Sequence, residues 1–220
     1  MPVIAVASVK GGCGKTTLAI LVGAELALEG YKVQLLDSDL NQHGVAFASK
    51  ADIPGFQVIG DVDEHNILSV LRTAEKEADL VIIDLPGVSS TLALKAFQRS
   101  HLVIVPSQTS LPDVRDAFKT INQIADAEEL ARAPIQRAIV WTRILPGYES
   151  RVSKHVRESA GGKGVPILAA GLMERAGFRE MHVTGKVPRQ MDPKGSSATN
   201  VSHLTAEILK AMEPAEEGVS

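Results

Sequence analysis

Short apolar runs separated by longer amphipathic stretches set the rhythm of this chain. Val3–Val9, Lys32–Asp37, Phe56–Gly60, Leu80–Asp84, Leu102–Pro106 and Ala138–Thr142 read as strands, with Ile167–Ala170 a further candidate. Several are continuous Val, Ile and Leu rather than alternating, the pattern of strands covered on both faces. Between them, Thr16–Glu29, Glu64–Lys76, Ser90–Arg99, Asp113–Arg132, Ser150–Ser159 and Arg175–Val183 read as helices. Thr199–Met212 follows, with Leu204, Ile208, Leu209 and Met212 on one face. Alternation of strand and helix implies right-handed crossovers and an α/β, doubly wound, mainly parallel sheet flanked by helices. There is no internal repeat and no linker long enough to separate domains. One domain over 1–212 and a flexible acidic tail over 213–220 are expected.

Composition narrows the class. At 220 residues, 45% apolar and 22% charged, the chain suits one globular core and excludes disorder, coiled coil and a disulfide scaffold. A net charge of −3 argues against a molecule basic overall, while leaving room for a local basic patch. The single cysteine, Cys13, cannot form an intramolecular disulfide or hold a metal cluster alone. No run reaches the length of a membrane span, and the first residues lack a signal peptide's basic start. A reduced, cytoplasmic setting follows.

The chemistry starts after the first strand, at Lys10-Gly11-Gly12-Cys13-Gly14-Lys15-Thr16-Thr17. Strand, glycine-rich turn and helix start form the context of a phosphate-binding loop. Glycines let the backbone curl so that successive N–H groups point at phosphate oxygens, and the helix N-terminus adds positive potential. Lys15 would reach the β- and γ-phosphates, and the Thr16 hydroxyl would ligate Mg²⁺. The general pattern has glycine where this chain has Val9, and Lys10 stands next to it instead. A second lysine at the loop's mouth does not easily fold back on a nucleotide that Lys15 already holds. It could reach one held by a second subunit.

With K-G-G-x-G-K-T-T the chain resembles the deviant Walker A family of ParA/MinD-type ATPases, closest to the small ParA proteins. The resemblance implies a P-loop NTPase fold, ATP and Mg²⁺ as cofactors, and Lys10 contacting the partner's nucleotide in an ATP-sandwich homodimer. Asp37-Ser38-Asp39-Leu40-Asn41-Gln42 resembles the family's D-x-D-P-Q segment, with Leu40 in place of proline. By resemblance Asp39 positions the attacking water and joins the metal site, while Asp37 supports the metal shell. Leu80-Val81-Ile82-Ile83-Asp84 is a Walker B pattern that carries Asp84 to Mg²⁺, usually through water. Gly87 frees the following segment to respond to the γ-phosphate. Lys10, Lys15 and Asp39 are thus the expected catalytic residues.

The C-terminal half is less explicit. Thr142-Arg143, ending its strand, and Pro188 within Val187-Pro188-Arg189 resemble the two sides of an adenine pocket; strand-end polarity and a turn proline explain them about as well. Arg175 and Arg179 lie four apart, and Lys186, Arg189 and Lys194 follow. These five cations form the expected DNA-binding surface, suited to phosphates without base specificity. The six histidines show no metal-ligand spacing. Asp61 to Glu64 reads as helix capping, and Cys13 as an exposed thiol open to alkylation.

The function this implies is ATP-dependent partitioning or positioning of a plasmid, a chromosome locus or a protein cluster. Turnover would be slow and stimulated by a ParB-like or other adaptor, and the protein would be nucleoid-associated. The loop begins at residue 10, leaving no room for an N-terminal helix-turn-helix. The alternatives are a MinD-like membrane-associated regulator, which needs a basic amphipathic C-terminal helix that Thr199–Met212 does not supply, and a P-loop biosynthetic enzyme.

Overall fold

In a computed structural model the described residues are 1–87, 90–147, 150–162 and 164–213. The acidic tail expected at 213–220 lies outside them beyond Glu213, as does the start of the segment after Gly87.

Seven strands build one parallel sheet: β1 (Val3–Val6), β2 (Val33–Asp37), β3 (Phe56–Ile59), β4 (Leu80–Asp84), β5 (Leu102–Ser107), β6 (Gln136–Ile144) and β7 (Leu172–Met173). They lie in the order β3-β2-β4-β1-β5-β6-β7, each neighbouring pair parallel. Every residue of β1, β2, β4 and β5 is buried, as continuous apolar runs require.

The pleat sorts these strands onto two cores. Ile4, Val6, Leu80, Ile82, Leu102 and Ile104 face α1 (Lys15–Leu28). Val3, Ala5, Val81, Ile83, Val103 and Val105 face α3 (Ile67–Glu77), α4 (Thr91–Arg99) and α5 (Leu111–Ala131). The remaining helices are α2 (His43–Ala48), α6 (Arg151–Gly161), α7 (Ala176–Thr184), α8 (Pro188–Met191) and α9 (Ser196–Lys210). On α9, Leu204 and Ile208 are buried in the α1 core, with Leu209 and Met212 packed against it. The C-terminal stripe is therefore turned to the interior.

Four local differences from the sequence expectation matter. β1 stops at Val6, three residues early, because the chain leaves the sheet there to form the phosphate loop. Helix α2 has no counterpart in the sequence pattern. Its first residues are held by a side chain rather than by their own periodicity: the Asp37 carboxylate accepts from the amides of Gly44 at 2.8 Å and Val45 at 3.2 Å. Helix α3 begins at Ile67 because Asp63 caps the preceding turn, accepting from the amides of His65 and Asn66. Those bonds hold the Asp63 carboxyl below its usual range. The seventh strand is Leu172–Met173; Ile167 makes only an isolated bridge to Ile139.

Candidate nucleotide site

The strands end together at one sheet edge, where parallel α/β folds bind ligands. Between β1 and α1 the chain turns through Gly12 at φ 74° and Gly14 at φ 99°, left-handed conformations that glycine adopts without strain. Lys15 and Thr16 open α1, so its unpaired amides face the loop. Gly11, Gly12, Gly14, Lys15, Thr16 and Thr17 line one side of a cavity of about 680 Å³, and Asp39 lies across it. The sequence motif is thus a formed cradle, with Lys15 buried and its Nζ donating to the Lys10 carbonyl at 3.3 Å.

The loop is braced from outside. The Thr142 hydroxyl, at the end of β6, donates to the Cys13 carbonyl at 2.8 Å, and the Val9 amide donates to Thr120 Oγ1 on α5 at 3.1 Å. Thr142 therefore also holds the phosphate loop from a distant strand. Cys13, expected to be exposed, is 1% accessible, packed beneath the loop with its Sγ 3.4 Å from the Lys10 carbonyl.

The three aspartates take different parts. Asp37 Oδ1 accepts from the Asp39 amide at 3.2 Å while Oδ2 caps α2, so Asp37 shapes the loop that presents Asp39. Asp39 is half-buried, and its Oδ1 accepts from the Asn41 backbone and side-chain nitrogens, both at 2.9 Å. Asp84 is fully buried, and neither of its oxygens finds a hydrogen-bond partner among the described residues. Burial pushes its pKa up to about 7; the Thr16 hydroxyl and Lys15 oppose the rise and Asp37 and Asp39 add to it. The Ser38 hydroxyl donates to the Asp84 carbonyl at 2.6 Å, locking the ends of β2 and β4 side by side.

An unpartnered buried carboxylate beside a threonine hydroxyl fits a divalent cation. No group of three or more His, Cys, Asp or Glu among the described residues forms a cage of its own. That suits Mg²⁺, which is commonly held by one or two protein ligands, water and substrate phosphates.

Around the cavity stand residues that the sequence did not single out. His43, Phe47 and Lys50, on and just after α2, and His182 of α7 complete its wall. Lys50 Nζ donates to the His182 carbonyl at 2.9 Å, and the Phe47 and His182 rings meet edge to face. Burial, with the His43 and Lys50 charges, holds the His182 imidazole below its usual pKa.

A second cavity of about 210 Å³ adjoins the loop at Gly14 and Thr17. Thr142, Arg143, Leu172, Met173, Arg175 and Phe178 line it. Arg143 stands at φ 53°, where the register between β6 and β7 shifts, and borders both cavities. Pro188 does not reach this space. It is buried at the start of α8, and Leu172 to Arg175 line the cavity instead.

Three of the five cations expected to meet DNA have polar partners within the chain. Arg189 pairs with Glu25 at 3.0 Å and Glu29 at 3.5 Å, Arg179 with Glu174 at 3.3 Å, and Arg175 donates to Ser196 Oγ at 2.7 Å. Lys186 and Lys194 are exposed and have no ion pair among the described residues. Exposed Arg151 and Lys154 on α6, and Arg115 on α5, likewise carry no ion pair there. Helices α5 and α6 share a small apolar cluster of Val114, Trp141, Val156 and Ala160.

Such a loop, sheet edge and pair of strand-end aspartates define a P-loop nucleotide-binding protein. The chain belongs to the CobQ/CobB/MinD/ParA nucleotide-binding domain family, whose pattern it matches over residues 4–189. It is 31% identical over 208 residues to Protein ParA of Rhizobium radiobacter, covering 94% of each chain. It is 26% identical to the maintenance of carboxysome distribution protein A of Halothiobacillus neapolitanus, over 94% of this chain and 95% of that one. The fold is similar to that of apo McdA from Cyanthece, with a TM-score of 0.79, 16% identity, and 94% and 99% of the two chains covered. The chain therefore stands among ParA- and MinD-like P-loop ATPases of partitioning and positioning. No helix among the described residues is long and apolar enough to cross a membrane.

Proposed function

We propose that this chain is a ParA-like positioning ATPase that pairs around ATP, binds DNA without base specificity and moves or spaces a cargo on it. The observation that carries the reading is Lys10, a second lysine at the mouth of an already complete phosphate loop. Lys15 and the loop amides bind the β,γ-phosphate oxygens, and Thr16, Asp84 and Asp39 hold the Mg²⁺ site. The orphaned Asp84 carboxylate beside the Thr16 hydroxyl supports that assignment. The cation, when bound, neutralises charge on the phosphate oxygens. Asp39, presented at the cavity by the Asp37-centred loop, orients the attacking water. Lys10 from the paired copy completes the positive clamp, so hydrolysis is slow in a lone subunit and rises with pairing and with an adaptor protein. Loss of the γ-phosphate weakens the pair and releases DNA.

Among the described residues, Arg115, Arg151 and Lys154, together with Lys186 and Lys194, are exposed cations without an ion pair and suit DNA phosphates, while Arg179 and Arg189 are paired with glutamates. The cargo class is a replicon locus or a protein cluster, by likeness to the ParA and carboxysome-distribution relatives. DNA retention measured with ATP, ADP and no nucleotide tests the reading. Wild type with ATP should retain DNA, Lys15→Ala and Lys10→Ala should not, and added salt should abolish retention. Equal retention in all nucleotide states would refute it.

A further inference from the structure

The two cavities at the ligand edge meet in a passage, and four residues border both: Gly14, Thr17, Arg143 and His182. Gly14 has no side chain, Thr17 offers one hydroxyl from α1, and Arg143 is a permanent cation suited to phosphate. His182 is the member of this set that no sequence motif assigns. We propose that His182 is a specificity-determining residue that reads the sugar of the bound nucleotide and favours ribose over deoxyribose. The inference deepens the nucleotide-site reading above and rests on it.

The path of the ligand follows from its chemistry. Loop amides and Lys15 take the charged end, so sugar and base leave the cradle by an adjoining space. The cavity that meets the loop at Gly14 and Thr17 offers Leu172, Met173 and Phe178 to a flat base. The sugar then spans the passage, beside His182. Phe178 and His182 lie four positions apart on α7, so one helix face serves both base and sugar.

The imidazole is held in place without spending its own polar atoms. Lys50 Nζ bonds the His182 carbonyl and the Phe47 ring packs against the imidazole edge to face. Neither ring nitrogen has a hydrogen-bond partner among the described residues. Just beyond, α7 closes on Gly185 at φ 71°, where a Cβ would collide with the Lys50 carbonyl oxygen. The end of α7 is thus pressed against the chain after α2, which leaves the ring no room to slide away. Burial, with the charges of His43 and Lys50, lowers the His182 pKa and keeps the ring neutral at neutral pH. A neutral imidazole offers one donor and one acceptor, which suits sugar hydroxyls better than phosphate oxygens.

The test titrates ADP, 2′-deoxy-ADP, 3′-deoxy-ADP and pyrophosphate into the protein with Mg²⁺, read by calorimetry. Wild type is compared with His182→Phe, which keeps a ring for Phe47 and a carbonyl for Lys50. His182→Gln, which keeps a donor and an acceptor, is the second variant, and melting curves show that both fold. Wild type should bind ADP roughly five- to tenfold more tightly than at least one deoxynucleotide, the scale of one hydrogen bond. His182→Phe should weaken ADP by that factor and leave that deoxynucleotide and pyrophosphate unchanged. His182→Gln should retain part of the preference. A His182→Phe protein that prefers ribose as wild type does overturns the inference, and so does a wild type without the preference. Equal losses on every probe would make His182 a wall residue alone and overturn it too. A wild type that binds none of the probes overturns the nucleotide-site reading itself, and this inference with it.

Discussion

Thr142 reaches across from the end of β6 to donate to the Cys13 carbonyl, so a strand on the far side of β5 from β1 fixes the phosphate loop. The pair is buried at both ends, with Thr142 and Cys13 each 1% exposed. Thr142→Val should leave the Cys13 carbonyl short of a donor and cost about 1–3 kcal/mol of stability. Nucleotide affinity should fall with it, while Thr142→Ser should retain both. Thermal unfolding and titration with a fluorescent ATP analogue check this, and a Thr142→Val protein that binds nucleotide like wild type would contradict the bracing role.

Asp84 makes stability and cation binding depend on pH in opposite ways. Its folded pKa of about 7 lies above the ordinary carboxyl value, so the nucleotide-free fold holds a proton that the unfolded chain releases. Stability of that state should therefore decline as pH rises from about 4 to 7 and level off above. Mg²⁺ competes with the proton, so its affinity should climb across the same interval. Asp84→Asn should flatten both profiles. At pH 8 it should also stabilise the nucleotide-free protein by up to about 4 kcal/mol, read as a higher melting temperature. Calorimetry across pH, with and without Mg²⁺ and nucleotide, reads both effects.

Gly44 is the point at which α2 meets Asp37. A Cβ there would lie 2.9 Å from Asp37 Oδ2. Gly44→Ala should push the carboxylate off the α2 amides and shift Asp39 with it, at a cost of about 1–3 kcal/mol. The expected signature is a larger loss of ATPase turnover than of nucleotide affinity. Equal losses would mean that the loop moves as a whole.

On DNA, the ion pairs divide the cations. Arg151→Glu with Lys154→Glu should weaken ATP-dependent retention severalfold and lower its salt dependence by about two phosphate contacts. Arg189→Ala should act mainly on stability, since it leaves Glu25 buried without its guanidinium. Retention at several salt concentrations, alongside melting curves, separates these effects.

Much of the fold is legible in the sequence because its strands are local and continuous. Leu80–Asp84 carries in one run both the burial of β4 and the carboxylate at its end. The phosphate loop is legible because spacing alone specifies its backbone. Other features depend on distant partners. Helix α2 has six residues and starts from Gln42 at φ 46°, too short for periodicity to reveal, and its cap comes from Asp37 upstream. Asp113 reads locally as a helix-start acid, which it is; its ion pair with Lys10 spans 103 positions. Likewise Leu172 to Arg175 carry no motif of their own. They line a cavity because β7 runs parallel to β6 and ends at the same edge.

Lys50 and Phe47 meet His182, with the Lys50 bond spanning 132 positions of chain, and so join the α2 region to α7 along the cavity wall. That wall is thus built from parts of the polypeptide that are synthesised at different times. A nascent chain that has just emitted the glycine-rich loop owns the cradle but not the part of the wall that His182 supplies, which is added only when α7 is made.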